Sequence, residues 1–403
     1  MTVQDSPIKF PFPSSTSLFQ PGSQLLALID EQPVALAELP DGSTAWLVTG
    51  YNETRQVLVD QRFSRALAAE RERDRPGLGA FAAGTILGMD PPDHTRLRKL
   101  VSRAFTARRV EQLRPRTAGI VAELIDDLAA GPRPADLVSG FSLPLPVRVI
   151  CELLGVPEQD QGKFRDWSDA LMSNSDISMD EIMAAALALA EYFAGLIALK
   201  RSEPADDLMT ALIAARDEAD QLSEDELVTL CVTLLVGGHE TTANQINMSL
   251  ITLLVAYPGE LARLRAGESL LPDAIEELMR FVQLGSGGFP MGRVATEEIQ
   301  LGSVTIAPGE MVLPFFSVAN RDRSEFPAPD RLDLSREPRL HLSFGAGVHH
   351  CLGAQLARME LQEAFRGLLG RLPGLRLAVP VEQLKFKDKM LVYSLHDLPV
   401  TWD

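Results

Sequence analysis

A chain of 403 residues with a formal charge of −17 is repelled by nucleic acid and by anionic membranes, which argues against both as partners. Its 46% apolar content is enough for a large core. Three cysteines, odd in number and far apart, form neither a disulfide framework nor a zinc pattern. The polar, proline-rich start lacks the basic segment and apolar run of a signal peptide, and no window approaches the roughly 18 uninterrupted apolar residues of a membrane span. A soluble cytoplasmic protein is expected.

In chain order, a strand is predicted at 44–49, then helices over 53–61, 92–106, 115–130 and 141–154 by apolar spacing. Two further helices, about 157–173 and 178–201, flank a polar break at 174–176. Ser223 followed three residues later by Glu226 is a capping box with an acidic first turn, opening a long apolar helix toward Ala256. The next helix is 272–282, and strand-like material follows at 304–306, 311–315 and 375–400. The pattern predicts a mainly α fold with small mixed β-sheets toward the two ends. One compact domain over 1–403 is expected, with an extended segment at 1–20.

The strongest chemical signal runs from Phe344 to Gly353. Cys351 lies on a glycine-rich loop just before a helix-forming stretch at 354–364, where backbone N–H groups and the helix dipole favour a thiolate. Gly345, Gly347 and Gly353 allow the backbone to approach a flat object closely. A haem iron with an axial thiolate is what such a loop could hold. Cys151 and Cys231, on apolar helix faces, read instead as small buried hydrophobes.

This loop resembles that of the cytochrome P450 monooxygenases, Phe-Gly-x-Gly-x-His-x-Cys-x-Gly, with every fixed position present. The resemblance extends from about Thr44 to the end of the chain, and is most similar to actinobacterial members that tailor macrolides and other polyketides. It implies the single-domain cytochrome P450 fold and haem b as cofactor. Cys351 would be the iron ligand, with Phe344 and Gly345 in the binding loop. Four residues at family positions would hold the haem propionates: His94 and Arg98, four apart on one helix face, together with Arg293 and His349. Glu277 and Arg280, the arginine 71 residues before the cysteine, would organise the loop from behind, with Arg331 completing a three-residue ionic network.

The long helix carries Gly237 and Gly238 ahead of Glu240 and Thr241. Each interior glycine costs about 1 kcal/mol relative to Ala, and tight helix packing with an exposed Glu240 would explain them without chemistry. The resemblance implies more: the glycines open room for O2, and Glu240 and Thr241 deliver protons for its cleavage. Thr242 is expected to be a packing or hydrogen-bonding neighbour, and His239, His341, His350 and His396 receive no catalytic role.

Between 94 and 116 stand eight Lys/Arg residues against one acid, Glu111, an excess that can be a solvated face or a docking patch for an acidic electron donor. No Gly-x-Gly-x-x-Gly opens a helix after a strand, so electrons are expected from a ferredoxin and its reductase. The resemblance places substrate against Phe81, Ile86 and Leu87 after the second helix, and against Leu171 and Met172 mid-chain. Leu235 and Val236 of the oxygen helix, Leu284, Phe289 and Met291 of the following loop, and Val392 near the C-terminus complete that wall. Nearly all are apolar, so a bulky hydrophobic substrate is expected, hydroxylated or epoxidised with one atom of O2 by a monomeric enzyme. A peroxide-driven peroxygenase and a non-catalytic haem sensor or carrier are the alternatives.

Overall fold

The computed structural model describes residues 7–12, 18–73, 82–164, 167, 178–219, 221–282, 284, 291–387 and 392–403. These fall into two compact units interleaved along the chain.

The first unit comprises Met1–Glu72, Leu87–Asp90 and Asp273–Cys351. Its centre is a mixed six-stranded sheet in the order Ile8–Lys9, Val34–Glu38, Thr44–Val48, Met311–Pro314, Arg293–Ala295 and Phe63–Ser64. Strands Val34–Glu38 and Thr44–Val48 pair antiparallel with Ala35 opposite Leu47 and Leu36 opposite Trp46. The two-residue period then sorts side chains by face. Ala35, Ala37 and Leu47 pack with Leu25, Leu28 and Phe315, while Val34 and Val48 join a second cluster with Val312 and Ile306. Sequence periodicity found Thr44–Val48 but not Val34–Glu38, whose alternate positions include two alanines, residues of low strand propensity.

The second unit comprises Arg73–Ile86, Pro91–Pro272 and Leu352–Asp403, and its described part is dominated by helices. The predicted helix from 115 instead spans Ala107–Ala130, capped by the Thr106 hydroxyl, with Pro115 in its interior. Proline inside a helix removes one donor and usually marks a start, which is why the spacing placed the boundary there. The helix packs along Ala354–Arg371, where a side chain at Gly367 would collide with Val121 and Ile125. The capping box at Ser223 and Glu226 forms as predicted and opens the 28-residue helix Glu224–Ile251, continued by a π-turn Thr252–Ala256.

Among the described residues of 375–400, strand lies at the two ends. Arg376–Leu377 and Pro399–Thr401 form a three-stranded sheet with Ala135–Asp136, and between them a Phe386–Leu395 bridge closes a hairpin. Of the helix expected over 157–173, the described part is a 3-10 turn Glu158–Lys163 followed by Phe164 and Trp167 in α-helical conformation; 165–166 and 168–173 lie outside the described residues. The helix Met179–Ser202 passes a length and composition test for a membrane span, although about a third of its apolar window is already buried in the protein.

Candidate active site

In the first unit, the cysteine loop is a folded device. Its glycines at 345 and 347 adopt φ of +67° and +69°, a region that L side chains rarely enter. A side chain at Gly347 would also strike the Leu58 carbonyl. The Cys351 N–H donates to the Phe344 carbonyl at 2.8 Å, closing the loop, and the Gly345 N–H donates to Leu342 at the same distance. Phe344 is buried beneath it. Cys351 is exposed three residues before the first helical residue, Ala354, whereas Cys151 and Cys231 are buried, their thiols pushed up to about 12 by desolvation. Of the three, Cys351 alone is placed to offer a thiolate.

Behind this loop stands a buried ionic network. Arg280 binds the Glu277 carboxylate in a two-pronged pair, Nε to Oε2 at 2.7 Å and Nη2 to Oε1 at 2.9 Å, both residues 3% exposed. Arg280 also donates to the Asn320 and Pro329 carbonyls. Asn320 in turn accepts the Leu342 N–H at 2.7 Å and donates to Ser343, so the network grips the first residues of the cysteine loop.

The third member is Arg336, not Arg331. Arg336 Nε reaches both Glu277 oxygens at 3.1 Å, while the Arg331 side chain is 69% exposed and only 4.0 Å from Asp333. Arg331 contributes its carbonyl, which accepts from Arg280 and Arg336. The chain turns there so that Arg331 points outward, a path that residue order alone does not specify.

Arg293 is buried at the start of its strand and donates to the Met291 and Gly292 carbonyls. Burial, then the charge of Arg65, push its guanidinium down to about 10. Arg65, itself buried, is paired with Glu72 at 2.9 Å, whereas no carboxylate among the described residues pairs with Arg293. A buried, unneutralised guanidinium suits an anionic group such as a propionate. With the exposed thiol and the glycine-lined loop, the first unit's residues fit haem. His349 is half-buried two residues before the cysteine.

In the second unit, His94 is buried and Arg98 half-buried on the helix Asp93–Ser102. On the long helix, Glu240 is 2% exposed, which excludes the solvent-facing reading of that residue. Asn244 Nδ2 donates to its Oε1 at 2.9 Å and Ser394 Oγ to the same atom at 3.1 Å. The Thr241 hydroxyl donates to the Gly237 carbonyl at 3.2 Å. The two glycines differ. A Cβ at Gly238 would press on Ile150, so that glycine serves packing, while nothing lies within 4 Å of one at Gly237. His239 is satisfied by the Leu235 carbonyl at 2.8 Å, consistent with no catalytic role.

Glu360, on the helix Ala354–Arg371, is a residue that sequence reasoning passed over. Neither carboxyl oxygen has a hydrogen-bond partner of settled geometry, and burial pushes its pKa up to about 8, with the Thr242 hydroxyl offsetting part of the rise. Its neighbours in sequence are ordinary helix formers, and nothing in the pattern marks it.

Of the expected substrate wall, Phe81, Leu171, Met172 and Phe289 lie outside the described residues. Leu235 shows no exposed surface, and Val236 and Val392 almost none, so these three pack as core. A helix this thoroughly buried has more apolar positions than a cavity can use. Ile86, Leu87, Leu284 and Met291 are half-exposed.

Along the helices Asp93–Ser102 and Ala107–Ala130, several cations are already paired: Arg96 with Glu226, Arg114 with Glu111 and Glu363, Arg116 with Glu152. Lys99, Arg103 and Arg108 are exposed and make no ion pair among the described residues. Lys99 and Arg103 line a half-open groove of about 1040 Å³ together with Arg96 and Arg109.

A family model described as Cytochrome P450 matches residues 178–267 and 269–378. The chain is 51% identical over 373 residues to nocardicin C N-oxygenase of Nocardia uniformis, covering 92% of this chain and 93% of that protein. It is 48% identical over 378 residues to mycinamicin IV hydroxylase/epoxidase of Micromonospora griseorubida, covering 93% and 94%. Among solved structures it is similar to the LnmA cytochrome P450 hydroxylase of Streptomyces atroolivaceus, with a TM-score of 0.90 at 43% identity over 98% of this chain and all of that one. The chain belongs to the cytochrome P450 monooxygenases, with haem as its cofactor.

Proposed function

We propose that this monooxygenase oxidises a bulky hydrophobic secondary metabolite of the macrolide or polyketide kind, with Cys351 as iron ligand and Glu240 and Thr241 as its proton relay. Haem held by Cys351 supplies O2 activation, the electron-rich sulfur favouring O–O cleavage. The Glu277–Arg280–Arg336 network holds the loop so that the thiolate does not shift as charge changes. Arg293, His94, Arg98 and His349 hold the propionates, and desolvated Arg293 is the strongest of these candidates.

Glu240 takes up a proton at its carboxylate and passes it to the Thr241 hydroxyl, which lets go of the Gly237 carbonyl to donate it onward. The open space beside Gly237 leaves room for the reacting oxygen. The observation that carries the relay is the burial of Glu240 among two hydrogen-bond donors. An acid kept there at the cost of desolvation favours oxygen activation over the peroxide-driven and non-catalytic readings.

The substrate class rests on two relatives, whose names state action on nocardicin C and on mycinamicin IV. Electrons come from a ferredoxin and its reductase in the cytoplasm, the ferredoxin docking at the exposed cations Lys99, Arg103 and Arg108. Titrating the purified enzyme with a macrolide and polyketide panel tests the substrate class. Saturable spin-state shifts followed by oxygenated product are expected. Silence across the panel, with shifts from small unrelated ligands, would reject it.

A further inference from the structure

We infer that Ser394 is a positioning residue that, with Asn244, fixes which oxygen of Glu240 moves the proton, and so ties the C-terminal hairpin to the relay. The inference rests on the assignment of Glu240 to proton delivery. Asn244 stands one turn along the same helix and donates from Nδ2 both to the Glu240 backbone carbonyl and to Oε1, each at 2.9 Å. Ser394, 154 residues away in sequence and 5% exposed, donates to that same Oε1 at 3.1 Å.

Two donors on one carboxylate oxygen prevent the carboxyl plane from turning. Among the described residues no donor falls on Oε2, so Oε2 is the atom left to take and give the proton. Asn244 belongs to the helix and holds whatever the rest of the unit does. Ser394 does not. It lies on the returning arm of the hairpin closed by the Phe386–Leu395 bridge, where its carbonyl accepts the Lys387 N–H at 2.7 Å. The rings of Phe386 and Tyr393 pack edge-on across the same hairpin, 5.9 Å between centroids.

A displacement of that hairpin therefore moves the donor on Oε1. A buried serine that only satisfied itself could use any backbone carbonyl; this one is spent on a buried acid, where a charge-assisted bond is worth more.

The test compares Ser394→Ala, the near-isosteric Ser394→Cys and the hydroxyl-retaining Ser394→Thr with Glu240→Gln. Two quantities are read: product formed per electron pair, and the infrared carboxylate band that Glu240→Gln abolishes in substrate-free protein. Ser394→Ala and Ser394→Cys are expected to shift that band and lower coupling by about tenfold or more, as loss of one charge-assisted bond implies. Ser394→Thr keeps both near wild type. If Glu240→Gln uncouples while Ser394→Ala and Ser394→Cys leave band and coupling unchanged, the positioning role is overturned and the relay stands. Equal loss in Ser394→Thr overturns it too, since the hydroxyl would not matter. If Glu240→Gln leaves coupling intact, the relay reading fails and this inference with it.

Discussion

Arg336 donates its Nε to both oxygens of Glu277 at 3.1 Å, the same two oxygens that Arg280 grips. Two arginines thus share one buried acid, and the loop from Leu342 to Cys351 hangs from the same cluster through Asn320. Removing one member of a buried network leaves the others desolvated without compensation. Arg336→Ala is therefore expected to cost about 3 kcal/mol and to release haem more readily. Arg331→Ala, whose side chain is exposed, should stay within about 0.5 kcal/mol. Denaturant unfolding and haem-transfer rates check both.

Glu360 carries a pH signature. Its carboxyl sits near 8 in the folded protein against an ordinary value of 4.5, because burial penalises the charged form. The folded state therefore binds more protons than the unfolded state between those values. Its contribution to stability is full below about 4.5 and is lost progressively as pH rises to about 8. Glu360→Gln removes the titration. The variant should gain on wild type across that range, by roughly 5 kcal/mol at most, as urea midpoints at pH 5 and 8 would show. A constant difference between the two pH values would mean that Glu360 is not protonated at neutrality.

Thr241→Ala removes the hydroxyl that now rests on the Gly237 carbonyl. Electron consumption should continue while product falls, with coupling down at least about tenfold and the lost electrons appearing as peroxide or water. Unchanged coupling would take Thr241 out of the relay.

Reversing charge at Lys99 and Arg103 should slow ferredoxin-supported reduction by about tenfold at low salt, with the gap closing as salt rises. Reversal at Arg116, already paired with Glu152 and Glu123, should do far less. Equal effects at both places would reduce the basic helices to a solvated face. Stopped-flow reduction rates across a salt series distinguish the two.

What could be read from sequence was local. The Ser223 cap, the glycine turns of the cysteine loop and the Glu277–Arg280 pair each lie within a few residues, so spacing alone defined them. The helix start at Ala107 was hidden by Pro115, since an interior proline and a first-turn proline look alike in a pattern. Long-range partners left no such trace. Arg336 depends on how the preceding loop turns, and Ser394 meets Glu240 across 154 residues. Glu360 differs from a surface glutamate only in what the folded chain puts around it, because helical spacing identifies a face and not its depth.

The central claim is that Cys351 is the thiolate ligand of the haem, and the carbon monoxide complex of the reduced protein tests it most directly. Wild type should show the red-shifted Soret band of a thiolate-ligated haem, and Cys351→Ser should lose it while Cys151→Ser and Cys231→Ser retain it. An unchanged band in Cys351→Ser would contradict the account.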